Sequence, residues 1–378
     1  LAEDDKAATG QLLQQFDERL PRYDRINAAA VVGDVRLAQS AAFETQGEQP
    51  DDNPLHLQLS DNLLAFSDHA GTRLARRQLG ALDEDQTDAQ FHLAISPRLS
   101  LELDLSRIQR RVAASDQLRD VANEDIAALL LRLRHTYGET RLRVANRRGY
   151  ANTTPLSLEH EQRLDNRLSL RGELGWHMPS EESLALRMGG MKTRVAAQLR
   201  YQATRQDSLL LSQSSEQYRL QTGAEVGRGR HTAVEYTHTY RQDAPTWELG
   251  AFWSNHRFER RHPMFLGQEG LDLQQRFMPV NAGNMGVDYF LPDSFQFYGL
   301  RLSTNMRYEQ DYTRALRPYA SFSLTQHSQL GMGYDLRLGL AGSWLGADHL
   351  RLSYGLGKSG VQSLGLTRTL ELSWRLHF

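Results

Sequence analysis

Histidine, carboxylate and arginine carry most of the chemistry open to this chain, because it has no cysteine and hence no thiolate nucleophile, thiolate metal site or disulfide framework. A hydrolytic or metal centre needs convergence: a Ser, His and Asp set, or His and carboxylates at ligand spacing. His92, His135, His177, His231 and His238 share no such spacing. No catalytic residue, metal set or cofactor is assigned on this reading, and an enzyme ranks last among the functions considered. The charged residues show a different order. Glu102, Asp104, Arg132, Arg134, Glu173, Arg200, Glu225, Glu248, Arg301, Asp335, Arg351 and Arg375 each sit in a run where charge or polarity falls at every second position. That is the mark of a wall with one wet face. These twelve are the expected lining of an aqueous lumen. Each is read first as a rung of a cross-strand ladder that stiffens the wall, with a subset facing a solute.

The elements that position them change character near Thr72. Before it, Leu12, Leu13, Phe16 and Leu20 recur at helical spacing up to Pro21, a second helical stretch runs from about 31 to 43, and a third follows the Asp51, Asp52, Asn53 cluster. Residues 1–68 therefore read as short helices, loosely tetratricopeptide-like, at the end of an α-solenoid. From Thr72 the period is two. Leu168, Leu170, Leu174, Trp176 and Met178 interleave with Ser169, Arg171, Glu173 and His177; Leu99 to Leu105 alternate with Ser100 to Ser106; Tyr298, Leu300, Leu302, Met306 and Tyr308 alternate with Arg301, Ser303, Asn305 and Arg307.

A soluble sandwich also alternates, but its strands are shorter than the ten or so residues seen here, a length that suits a tilted strand crossing a bilayer. Tyr137, Trp176, Tyr201, Trp247, Tyr308 and Trp374 fall near strand ends, where an interfacial girdle belongs. The terminal run is the sharpest signal: Leu370, Leu372, Trp374, Leu376 and Phe378 alternate with Glu371, Ser373, Arg375 and His377. It resembles the C-terminal signal read by the barrel assembly machinery of bacterial outer membranes, carried here by Trp374, Leu376 and Phe378.

The fold expected is an all-β membrane protein, residues 71–378 forming an antiparallel transmembrane barrel of about sixteen strands. Counting back from Phe378 gives strands near 366–378, 347–357, 331–342, 316–326, 295–309, 246–258, 231–241, 216–226, 191–204, 182–190, 166–177, 139–147, 127–137, 98–109, 88–96 and 71–81. An even number returns both ends of the barrel to the periplasm and leaves 110–126, 148–165 and 259–294 outside the cell. The last is long enough to have a function of its own. It is read as a gate, with Arg260 and Arg261 pairing to lumen carboxylates and Met264, Phe265 and Leu266 wedged across the pore.

Bulk composition fits this reading. Mean hydropathy is -0.57, as expected when only alternate residues meet lipid. A net charge of -2 gives no basis for nucleic-acid binding. Lysine occurs only at positions 6, 192 and 358. The start at Leu1 is read as a processed or truncated end, with more scaffold expected upstream.

A helical segment joined directly to a barrel of about sixteen strands resembles the exopolysaccharide export porins, and within them the Pel-type (PelB-type) exporters, with cellulose and poly-N-acetylglucosamine exporters sharing the plan. The resemblance implies export of a polysaccharide, here a partly deacetylated and cationic aminosugar polymer, across outer-membrane lipid. It also implies a lipoprotein ring at the periplasmic mouth and polysaccharide-modifying enzymes as partners. A passive or substrate-specific diffusion porin is the alternative. One expectation follows from the C-terminus alone: replacing Phe378 with Asp should lower the heat-modifiable, membrane-inserted fraction on a gel. Unchanged insertion would remove Phe378 from the assembly signal.

Overall fold

The computed structural model describes the chain apart from residues 1–5, 17–18, 50, 53, 56–58, 60–66, 97, 116–117, 262–266, 279–289, 310–312, 314, 347 and 359–365. Three helices come first: α1 (Lys6–Phe16), α2 (Arg22–Val32) and α3 (Val35–Glu48). Pro21 precedes α2, Gly33 ends it at φ 88°, and the Asp34 carboxylate caps α3 by accepting the Leu37 N–H at 3.2 Å. The second helical stretch expected from about 31 to 43 is therefore two helices meeting at Gly33. Leu13, Ala28, Ala29 and Ala38 are buried between them. Of the helix expected after Asp51, residues 54, 55 and 59 are helical, Asp52 accepts the Leu55 N–H at 3.1 Å, and the rest lies outside the described residues.

The strands are β1 (His69–Leu79), β2 (Leu82–Ala94), β3 (Leu99–Val112), β4 (Glu124–His135), β5 (Gly138–Arg148), β6 (Asn152–Thr153), β7 (Leu156–Arg163), β8 (Leu168–Pro179) and β9 (Gly190–Gln202). They continue as β10 (Asp207–Leu220), β11 (Glu225–Arg241), β12 (Trp247–Arg260), β13 (Phe295–Thr304), β14 (Arg317–His327), β15 (Gly331–Gly342), β16 (Asp348–Lys358) and β17 (Thr367–His377). Every pairing is antiparallel. β6 is a stub on the end of β5, whose full-length partner is β7. The other sixteen form a ring, because β1 pairs with β2 on one side and with β17 on the other, from His69↔His377 to Leu79↔Thr367. The Phe378 N–H donates to the Asp68 carbonyl at 3.0 Å, so both ends of the barrel lie on one rim. That rim is called terminal below and the opposite one far.

Closure fixes the phases. Leu352, Leu372 and Leu74 are laterally aligned and face out, while Glu371 on the other face meets Arg73 and Arg351. Leu170, Leu174, Trp176, Leu300, Leu302 and Trp374 are all exposed on the outer phase. No described helix is long and apolar enough to cross a membrane; the strands do the spanning.

The count of sixteen hides two errors that cancel. Residues 182–190 are not a strand: Leu184–Gly189 form helix α4, capped by Ser183, whose hydroxyl accepts the Leu186 N–H at 3.2 Å. Leu184, Leu186 and Met188 mimic period two, yet Ala185 between them is buried as well. Conversely β7 lies inside the stretch expected as a loop from 148 to 165, its alternation cut short after Leu156 and Leu158. The connection expected at 205–215 is the start of β10, masked in sequence by the consecutive Leu209, Leu210 and Leu211. β13 stops at Thr304, and Met306–Glu309 turn into a 3-10 helix that buries Tyr308 against Tyr319 and Ala341, away from any girdle. A bulge at His177 (φ 52°) moves Met178 from its expected outer phase to face Lys192. Substituting Leu324, outward on β14, with Arg should destabilise the folded barrel in lipid by about 2–4 kcal/mol, whereas Gln198→Arg on the inner phase should change it by less than about 1 kcal/mol. Denaturant titration in vesicles reads both, and equal costs would refute the assignment of faces.

Candidate functional site

The inner wall is a mesh of opposite charges. Glu102 accepts from Gln90 at 2.6 Å; Arg132 and Arg134 reach Glu139 at 3.4 and 3.6 Å; Glu173 meets Arg194 at 3.8 Å. Glu248 accepts from Ser303 at 3.2 Å, Arg301 donates to Glu235 at 2.8 Å, and Arg351 binds Glu371. Asp104 and Arg375 border one recess near the terminal rim together with Arg73, Arg143 and Arg351. Arg200 and Asp335 also occupy inward positions of the register. Glu225 does not. A register shift between Tyr218 and Arg219 sets Glu225 opposite outward Arg219, where it pairs with Arg261 at 3.2 Å and Arg228 at 3.7 Å. The shift arises because Val226, completely buried, is drawn into an apolar cluster at the far rim.

That cluster is the main hydrophobic core of the barrel, and it sits in the mouth of the pore. Leu82, Tyr218 and Leu220 from the inner wall pack with Leu118 and Ala122 of the 113–123 loop and with Ala185, Leu186 and Met188 of α4. Leu273 and Phe277 of α5 (Gly267–Phe277) and Phe290 and Leu291 beyond it complete the cluster. Burying such side chains removes apolar surface from water at about 25 cal/mol per Å². The segments are also cross-tied: the Ser183 hydroxyl donates to the Phe290 carbonyl at 2.6 Å, and the Arg119 N–H to the Phe277 carbonyl at 2.9 Å. Gly189 makes this fit possible, since a Cβ there would lie 2.8 Å from Leu273. Of the expected gate residues, Arg260 binds the Leu291 carbonyl at 2.9 Å and Asp293 at 2.9 Å, within its own loop, and Arg261 binds Glu225 at the rim. Neither pairing is to a lumen carboxylate. Met264, Phe265 and Leu266 lie outside the described residues.

A buried ionic network fastens α4 to the wall beneath this cluster. Glu84 accepts from Arg110 Nε at 2.8 Å and from Arg187 Nη2 at 2.9 Å; Glu124 accepts from Arg110 Nη1 at 3.1 Å and Arg147 Nε at 2.6 Å. Arg147, almost wholly buried, also donates to the carbonyls of Gly190 at 2.8 Å and Arg187 at 3.3 Å, satisfying the end of α4. A second tie holds the approach to α4: Lys192 bridges Glu182 at 2.6 Å and Glu216 at 3.3 Å. None of Glu84, Arg110, Glu124, Arg147 or Arg187 stands out by pattern, because alternation treats Arg110 like any other inward arginine. The available signal was position: all of them lie at or beyond the loop ends of their strands.

A further tie between loops is wet. Arg276 on α5 donates to Asp120 at 2.7 Å, both nearly half exposed, and this bond holds the Asp120 carboxyl below the usual carboxylate range. Its contribution is present above that range and is lost as pH falls through the lowered value, and solvent screening keeps it small.

A family model described as the PelB C-terminal beta barrel domain matches residues 64–377. Among solved structures, a bacterial polysaccharide outer membrane secretin is similar at TM-score 0.58 and 9% identity, covering 82% of this chain and 98% of its own. OmpT of Vibrio cholerae lacking loop L8 is similar at TM-score 0.41 and 8% identity (82% and 98% covered), and OccK5 of Pseudomonas aeruginosa at 0.42 and 10% (84% and 99%). No curated protein matches the sequence.

Arg147→Met should leave buried Glu124 with Arg110 alone, itself shared with Glu84, and cost about 3–5 kcal/mol of local stability, read as new protease cleavage near α4 and partial recovery in Arg147→Met with Glu124→Gln. Asp120→Asn should change stability by less than about 1 kcal/mol. A protease-resistant Arg147→Met variant would show that the network does not hold α4.

Proposed function

This chain belongs to the PelB C-terminal beta-barrel family and is an outer-membrane barrel channel, and we propose that it exports a polysaccharide from the periplasm to the cell surface through a pore gated at its far, extracellular mouth. The observation that carries this is the apolar cluster of the 113–123 loop, α4 and the 261–294 connection across the end of a sixteen-strand lumen. A barrel of that size otherwise leaves an aqueous channel, which an exporter must keep shut between substrates. The resemblance to Pel-type exporters supports a partly deacetylated, cationic aminosugar polymer as cargo, with inward carboxylates such as Glu173, Glu235 and Asp335 as its counter-charges. It equally supports a periplasmic place for residues 1–68, as the end of a solenoid scaffold, and a lipoprotein ring and polysaccharide-modifying enzymes as partners.

Gating on this reading is a loosening of the mouth. α5 is held by apolar contacts, the Arg119 N–H bond to the Phe277 carbonyl and the exposed Asp120–Arg276 pair, whereas α4 adds buried charge to its apolar contacts. The long connection yields first and α4 stays as the frame. Deleting residues 262–290 should raise both single-channel conductance and sensitivity to a large antibiotic while the barrel still assembles. No change in either would place the closure elsewhere in the barrel.

A further inference from the structure

The inner face of β12, β13 and β14 departs from the rule that inward positions are polar. Phe252, His256 and Phe258 of β12, Phe295 and Phe297 of β13 and His327 of β14 form one aromatic strip. The His256 and Phe295 rings stack at 4.5 Å and 14°, Phe295 and His327 at 4.5 Å and 29°, and His256 and Phe297 at 5.6 Å and 22°; Phe252 meets Phe297 edge-on at 6.0 Å. Gly299 makes room for Phe252, since a Cβ there would lie 2.7 Å from its ring. From Phe258 to Phe252 the strip follows the strand for about 20 Å. It starts against the apolar cluster of the mouth and descends to Phe252 and Phe297, which are only half-buried.

Hydrogen-bonding groups flank the rings. At the upper end His256 and Phe295 border a cavity of about 490 Å³ shared with Glu182, Lys192, Arg194 and Glu216, a volume in the range of small-ligand sites. At the lower end the Arg301 guanidinium lies 5.3 Å from the Phe252 ring centre. Among the described residues, polar atoms beside the strip that are buried without a hydrogen-bond partner include Thr325 Oγ1, His327 Nε2 and, on β11, His231 Nδ1. Because His327 Nδ1 accepts the N–H groups of Gln329 and Leu330, both at 3.1 Å, Nε2 carries the proton and is a donor without an acceptor.

The fold limits what such a surface serves. Lipid does not reach the inside of a closed barrel, and each of these strands is already paired on both sides, so no edge is free for a partner strand. Phe295, stacked between His256 and His327 and almost wholly buried, backs the strip, while the half-buried rings of Phe252 and Phe297, bordered by directional donors and acceptors, suit a hexopyranose, whose axial C–H bonds pack on an aromatic face while its equatorial hydroxyls reach the flanking groups. We propose that the open lower end of this strip, Phe252 and Phe297, is a binding track for a linear hexopyranose chain, on which a sugar stacks as the chain approaches the mouth. The proposal rests on the reading of the barrel as a polysaccharide pore and adds the surface that recognises the ring rather than the charge.

The test uses the purified full chain in detergent micelles, with a β-1,4-linked glucosamine hexamer and its fully N-acetylated counterpart as probes. Affinity is read by calorimetry and ring contact by saturation transfer from protein aromatic protons to sugar C–H. The variant Phe252→Leu with Phe297→Leu keeps the bulk and burial but removes the π faces; it should weaken both probes by about tenfold and abolish the aromatic transfer. Phe252→Tyr should retain binding, and outward Phe322→Leu should behave as the parent. Equal affinity in the double variant would overturn the track, as would binding of the glucosamine probe alone without aromatic transfer, which would assign recognition to carboxylates. If the parent binds neither probe, the polysaccharide-pore reading falls and the track with it.

Discussion

Backbone hydrogen bonding in lipid is the constraint on which the rest of this structure depends. An unpaired N–H or C=O in hydrocarbon costs several kcal/mol, and a sheet avoids that cost only by closing. Here closure is the meeting of β1 with β17 over eleven aligned pairs. Once the ring is shut, every strand has one face in lipid and one in the lumen, and side-chain chemistry divides accordingly. Leu74 and Leu372 go out; Arg73 and Glu371 go in, where they pair with each other rather than stand as isolated charges.

On the proposed reading, the same closure creates the problem that the far mouth solves. A wide wet lumen would short-circuit the membrane, and apart from the aromatic strip of β12–β14 the inward positions described along the wall are mostly polar or charged. The apolar material comes from the connections instead. Leu118, Leu186, Leu273 and Phe277 meet only because three loops converge on inward Leu82, Tyr218 and Leu220. Hydrophobic burial alone is non-directional, so position is set by charge. Glu84 and Glu124, both buried, accept from three arginines, and Arg147 spends its remaining donors on the carbonyl end of α4. A network of this kind is expensive to desolvate and adds little net stability; what it contributes here is a single location for α4.

Alternation made the barrel legible, down to the terminal phase at Leu370, Leu372, Trp374, Leu376 and Phe378, because a wall between lipid and water writes its period directly into the residue order. It failed where a segment answers to something other than that wall. The run Leu184, Leu186, Met188 has the period of a strand, but it belongs to a helix buried on several sides at once. Glu225 follows the inward phase by simple counting and lands outside because the bulge beside it serves Val226. The Arg147 network joins residues from β2, β3, β4, β5 and α4, and such a set is visible only once the register of these neighbouring strands and the place of α4 against them are known. Phe252 and Phe297 escaped notice for a related reason: on a strand with aromatic residues on both faces, such as Trp253 beside Phe252, the phase of a phenylalanine is not evident until the register is known.

The central claim is that this pore is shut at rest by its own far-rim loops. The most direct measurement is the resting single-channel current of the unaltered full chain reconstituted in a planar bilayer, at voltages that leave the barrel intact. The account expects a silent channel with only brief, infrequent openings. A steady conductance typical of a sixteen-strand diffusion porin, in the absence of any deletion or ligand, would contradict it.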